Sequence, residues 1–173
     1  ASVRAQDIEP RAYSNAPVGV NFLIAGYAYA EGGAAVDPSV PLTNANIRVN
    51  AAFLGYARAL DVLGWSGKFD MVVPYAWLSG TAEFAGQPRE RDVSGFGDPK
   101  FRLTVNFYGA PALSLKEFGS YRQDLIFGAS LQVSAPWGQY DSDKLVNIGT
   151  NRWWAKPELG VSKAWGSWIT EVA

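Results

Sequence analysis

Between Asp98 and Phe107 the chain alternates strictly. Asp98, Lys100, Arg102, Thr104 and Asn106 fall on one parity, and Pro99, Phe101, Leu103, Val105 and Phe107 on the other. Successive side chains of a strand point to opposite sides, so this segment offers one apolar wall and one wall of charges and hydrogen-bonding groups. A half-buried strand of a water-soluble sheet alternates as well. Repetition favours a different reading, because segment after segment alternates over lengths near the ~9–11 residues that a tilted strand needs to cross a bilayer.

Six further segments carry the pattern. In the first, about Val18 to Ala30, Leu23, Ala25, Tyr27 and Tyr29 share a parity opposite the small Gly26 and Ala28. Asn46, Arg48 and Asn50 then alternate with Ile47, Val49, Ala51 and Phe53, up to about Leu60, and Lys68 and Asp70 oppose Phe69, Met71, Val73, Tyr75 and Trp77. After the strand at 98–107, a fifth runs from about Gln123 to Ala135. In the sixth, Arg152, Lys156, Glu158 and Ser162 oppose Trp153, Ala155, Leu159 and Val161. Trp168 to Ala173 forms a short seventh. Pro74, Pro99 and Pro157 lie in these segments and remove ladder donors, so bulges or breaks are expected there.

The connections carry a second signal. Those after the first, third and fifth strands are long, including a polar loop expected at about 81–95 and another at 138–150, while those at 61–67 and 165–167 are shorter. Outer-membrane barrels pair long external loops with short periplasmic turns, which sets the N-terminus in the periplasm. The link from Tyr108 to Arg122 breaks this rule, and Ala112–Phe118 within it suggests a small helix. About seven strands fall short of the even number, eight or more, of bacterial single-chain barrels. The expectation is therefore an all-β, antiparallel transmembrane β-barrel, incomplete at its C-terminus. It forms one domain over residues 1–173, with 1–16 as a periplasmic N-terminal segment.

In that orientation the apolar-face aromatics gather near strand ends, with Tyr27, Tyr29, Tyr75, Trp77, Phe101 and Trp153 outward and Phe69, Phe107 and Trp165 toward the periplasm. Two interfacial girdles would follow. The alternative is a soluble β protein with these aromatics in its core.

Composition is compatible with either. Hydrophobic residues make up 48% of the 173 and aromatics 14%, and the mean hydropathy is −0.05. No apolar run reaches the ~18 residues of a transmembrane helix. A net charge of −1 gives no electrostatic case for nucleic acid. The absence of cysteine excludes disulfides and thiolate chemistry within these residues, and the absence of histidine removes the commonest general base and metal ligand. No enzyme activity, catalytic residue, metal site or cofactor is expected.

Three segments are more distinctive. The run Gly95-Phe-Gly-Asp-Pro-Lys-Phe-Arg-Leu, the pair Ala135-Pro-Trp-Gly-Gln-Tyr-Asp and Lys144-Leu-Val-Asn-Ile-Gly, and Asn151-Arg-Trp-Trp-Ala-Lys-Pro-Glu-Leu-Gly-Val-Ser resemble the MetA-pathway of phenol degradation family of outer-membrane proteins. The resemblance covers the chain from about Ala16. It implies a transporter-like barrel in a Gram-negative outer membrane, linked to passage of aromatic or other hydrophobic compounds, with lipid and a small solute as partners.

If the polar parity faces the lumen, Arg48, Lys68, Asp70, Asp98, Lys100, Arg102, Arg152, Lys156 and Glu158 line a pore, with Arg58, Asp124 and Glu171 on the same parity. Such charges either pair across strands as filling or set solute preference along a watery path. Pairing is placed first, because a narrow barrel has little free interior and unpaired buried charge is costly. Asp141 with Asp143 falls short of the oxygen count calcium needs, and Gly95-Phe-Gly97 lacks the lysine of a phosphate loop. The functional expectation is an outer-membrane channel or transporter for small solutes. A structural or assembly barrel and a soluble ligand-binding barrel are the alternatives.

Overall fold

The computed structural model describes residues 12–33 and 42–173. Among the described residues, eight strands form a single antiparallel sheet: β1 (Asn21–Gly33), β2 (Leu42–Val62), β3 (Trp65–Phe84), β4 (Gln87–Phe96), β5 (Lys100–Tyr108), β6 (Leu125–Ser134), β7 (Trp154–Trp165) and β8 (Trp168–Val172). One helical turn, α1 (Leu115–Phe118), lies between β5 and β6. The sheet curls into a half-barrel with the strand order β1-β2-β3-β5-β6-β7-β8, and β4 also pairs with β3. The fold is thus an incomplete antiparallel β-barrel.

β4 and β5 share one position beside β3. The upper half of β3, from Tyr75, pairs with β4, and its lower half, Gly67–Val72, pairs with β5. The break falls opposite Pro74, which has no N–H to donate; the Pro74 carbonyl instead accepts from Gly97 N at 2.9 Å. Eight strands therefore fill seven positions. Pro99 sits just before β5, and Pro157, paired with Leu131 of β6, lies above the stretch that β8 pairs, so β7 is an edge on its other side there.

Two expectations about the elements change. The segment expected as a loop at 81–95 is instead a hairpin, because β3 continues to Phe84 and turns through Ala85 (φ 50) and Gly86 (φ 76) into β4. Two central residues at positive φ make the tight turn whose twist matches its strands. The same device, Leu63 (φ 54) and Gly64 (φ 86), joins β2 to β3. The sixth expected strand starts later, at Trp154, which leaves Arg152 in the preceding connection.

At the lower end the link from β5 to β6 is tied to the β2–β3 turn and to the segment before β1. Ala112 N bonds Gly64 O, Ser66 N bonds Ala110 O and Val18 N bonds Leu113 O, all at 2.8–2.9 Å. α1 begins with a capping box in which the Ser114 hydroxyl accepts from Glu117 N while the Glu117 carboxylate accepts from Ser114 N. The helix expected within 112–118 is present at its end.

Candidate functional site: the inner wall of the half-barrel

Along β5, β6 and β7 the polar face is the buried one. Along β5 the polar residues Arg102, Thr104 and Asn106 are buried while Leu103 and Phe107 are exposed. In β6, Ser130 and Ser134 are buried while Phe127 and Leu131 are exposed, and in β7 Ser162 is buried while Leu159 is 75% exposed. The register makes these faces continuous. Lys68 is paired with Thr104 and Thr104 with Ser130, then Ser130 with Glu158; one row higher, Asp70, Arg102, Gln132 and Lys156 follow in the same way.

This polar wall is largely internally paired. Arg102, only 7% exposed, donates from Nη2 to Gln132 Oε1 at 2.7 Å. Lys156 Nζ lies 2.9 Å from Glu158 Oε1, and Lys68 Nζ lies 3.9 Å from Asp70 Oδ1. Lys100 is exposed at the upper end of the row, with its ammonium 5.9 Å from the centre of the Trp154 ring. Lys68, Asp70, Lys100, Arg102, Lys156 and Glu158 thus share one face.

Three expected lining residues do not join them. Arg48 pairs in register with Glu31 and Ser79, on the parity of Tyr29 and Trp77, and forms an ion pair with Glu31 at 3.0 Å. It stands on the outer face, as does Arg58 opposite Phe69. The physical reason is that alternation separates two faces without saying which turns inward, and in β2 the inner parity holds small and apolar residues. Arg152 is an exposed connection residue. Asp98 precedes β5 and acts as a loop anchor, accepting from Gly138 N at 2.9 Å and from the Thr150 N–H and hydroxyl at 2.7 Å each. Of the other polar-parity residues, Asp124 pairs with Lys163 at the lower end and Glu171 accepts from the Ser14 hydroxyl at 3.4 Å.

The inner face of β1 and β2 is different in kind. Gly26 lies opposite Phe53, Ala28 opposite Ala51, and the buried Ala57 and Ala59 face Asp70 and Lys68. The inner wall therefore combines an apolar stripe with a charged one.

Two segments that alternation does not mark sit against this wall. The connection between β6 and β7 packs onto the β4–β5 junction: Gln139 N bonds Phe96 O at 2.7 Å, Arg91 Nε bonds Val146 O at 3.3 Å, and a side chain at Gly97 would meet both Pro74 and Ile148. Ala12–Asn15 lies on the inner side near the lower end. Tyr13 is 2% exposed, its carbonyl accepts from Asn106 Nδ2 at 3.0 Å, and Asn15 Nδ2 donates to Pro111 O at 3.1 Å. Residues 1–11 of the expected N-terminal segment lie outside the described residues.

Residues 28–171 match the family described as "Putative MetA-pathway of phenol degradation". The chain belongs to this family. The matched span runs from within β1 to within β8 and so includes the whole charged row. No curated protein and no solved structure matches the chain.

Proposed function

We propose that this member of the phenol-degradation family is an outer-membrane barrel that passes small solutes, aromatic and hydrophobic ones among them. The observation that carries the reading is the reversal of burial, since a sheet that hides Arg102 and Thr104 and presents Leu103, Leu131 and Leu159 is suited to a hydrocarbon solvent outside and a polar interior. Burying the same apolar face against water-soluble layers would require covering elements that the described residues do not supply.

The outer face of β3 supports a membrane height. From Trp65 to Trp77 its outward residues are apolar, and above them come Ser79, Thr81 and Glu83. At ~3.3 Å per residue the apolar run is roughly 40 Å long, and at a tilt of about 40° it rises about 30 Å, close to a hydrocarbon core. Tyr27, Tyr29, Trp77 and Phe96 ring the upper limit, with the Tyr27 hydroxyl donating to Asn50 and that of Tyr29 to Glu31. Phe107, Tyr108, Phe127, Trp165 and Trp168 ring the lower one. Rings with an apolar body and a polar tip suit such boundaries.

The paired stripes of the inner wall suit an amphipathic solute, with the β1–β2 stripe against its hydrocarbon part and the Lys100–Lys156 side against its polar part. The role is passage rather than catalysis. Tyr13 and the internal ion pairs favour a closed resting state of that path. Fractionation, followed by conductance and solute uptake with the full chain in liposomes, tests the proposal: recovery in outer membranes with solute flux supports it, and recovery as a detergent-free soluble protein overturns it.

A further inference from the structure

We propose that the notch over Gly128 and Gly160 is a binding site for a single-ring phenol, and that Tyr13 occupies it with a phenol of its own. The inference rests on the passage reading above and adds a site and a ligand class to it.

Gly128 and Gly160 are directly paired across β6 and β7, on the inner face. A Cβ built at either position would overlap the Tyr13 ring, so the two missing side chains form a seat for one aromatic ring. The Tyr13 side chain is chemically a 4-alkylphenol, and it is nearly fully buried in that seat. Its hydroxyl points at Ser130 Oγ but reaches it only at 3.5 Å, the outer limit of a hydrogen bond.

The polar groups around the seat are not satisfied by this occupant. Thr104, paired with Ser130 in register and 1% exposed, has a buried hydroxyl without a hydrogen-bond partner, and so does Asn106 Oδ1, which stands 2.5 Å from where a Cβ at Gly128 would lie. Unsatisfied buried polar atoms are costly. In this proposal an untethered phenol, free of the Tyr13 backbone, settles with its hydroxyl nearer Ser130 and toward the register partner of Ser130, Thr104. Tyr13 competes as an internal ligand, at an effective concentration on the order of millimolar for a short tether, so phenols bind when abundant and displace Ala12–Asn15 from the lumen as they do.

The test is binding of 4-methylphenol to the detergent-solubilised full chain, with toluene as the ring lacking a hydroxyl. Tyr13→Ala should bind 4-methylphenol at least about tenfold more tightly than the parent, toluene should bind more weakly than 4-methylphenol, and adding Gly160→Val to Tyr13→Ala should abolish binding. A folded Tyr13→Ala protein that binds no 4-methylphenol overturns the site, as does equal binding after Gly160→Val. Should Tyr13→Ala not fold, Ser14→Cys in the otherwise unchanged chain reports the same event. Millimolar 4-methylphenol should raise its labelling by an aqueous maleimide more than toluene does, and no rise overturns the site. Binding without liposome flux would retain the site and overturn passage; flux without binding would do the reverse.

Discussion

Asp98 and Thr150 stand 52 residues apart in the chain and are joined twice, because one carboxylate oxygen accepts both the backbone N–H and the hydroxyl of Thr150 at 2.7 Å. The other oxygen accepts Gly138 N at 2.9 Å. A single side chain at the β4–β5 break therefore holds both ends of the connection between β6 and β7. Hydrogen bonds to a charged group contribute about 1.5–3 kcal/mol each, and their loss here is shared among neighbours. Asp98→Ala should release residues 138–150 while leaving the strands intact. Limited proteolysis checks this, with cleavage expected in that segment at protease levels the parent resists.

Lys100 and Arg102 occupy the same inner parity and should respond differently to substitution. Lys100 is exposed, with its ammonium 5.9 Å from the centre of the Trp154 ring, so Lys100→Glu should fold normally and shift a conducting protein toward cations, read as a change in reversal potential across a salt gradient. Arg102 is buried against Gln132. Arg102→Ala should instead destabilise the barrel by about 1–3 kcal/mol through the unsatisfied partners it leaves, measured as a lower urea midpoint.

The capping box of α1 gives a pH dependence. The Ser114 hydroxyl, and then the Ser114 N–H, hold the Glu117 carboxyl below its ordinary range, against a small opposing effect of burial. A carboxyl lowered by folding contributes stability that is present above its unfolded value, ordinarily about 4.3, and is lost as pH falls through the folded value. Amide protection factors at residues 114–118, taken relative to intrinsic exchange at each pH, should fall on acidification through that window, and Glu117→Gln should weaken the dependence.

Much of the inner wall is legible from alternation, because a strand's period fixes which residues share a face. Lys68 and Asp70 are read together on β3, Lys100 and Arg102 on β5, and Lys156 and Glu158 on β7; antiparallel pairing then merges the three sets. Arg48 shows the limit of that logic. Its strand is equally two-faced, but the side that turns inward is decided by pairing to β3, where Ala57 lies opposite Asp70. Near the upper rim both faces are polar, as at Thr81, Glu83, Arg89 and Glu90, so hydrophobic periodicity fades and the β3–β4 hairpin reads as a loop. The Ala85-Gly86 turn is its one local sign. Ala12–Asn15 has no periodicity at all, and its place is set by long-range fit to Gly128 and Gly160. Two glycines directly opposed across β6 and β7 are the signal that could have found it.

The central claim, apolar side outward to lipid and polar side inward, is tested most directly along β5. The chain has no cysteine, so single-cysteine variants from Phe101→Cys to Phe107→Cys can each carry a fluorophore in the full chain reconstituted in bilayers. A quencher attached to lipid tails should quench positions 101, 103 and 105 strongly and positions 102, 104 and 106 weakly. Equal quenching at both parities, or the inverse alternation, would contradict the account.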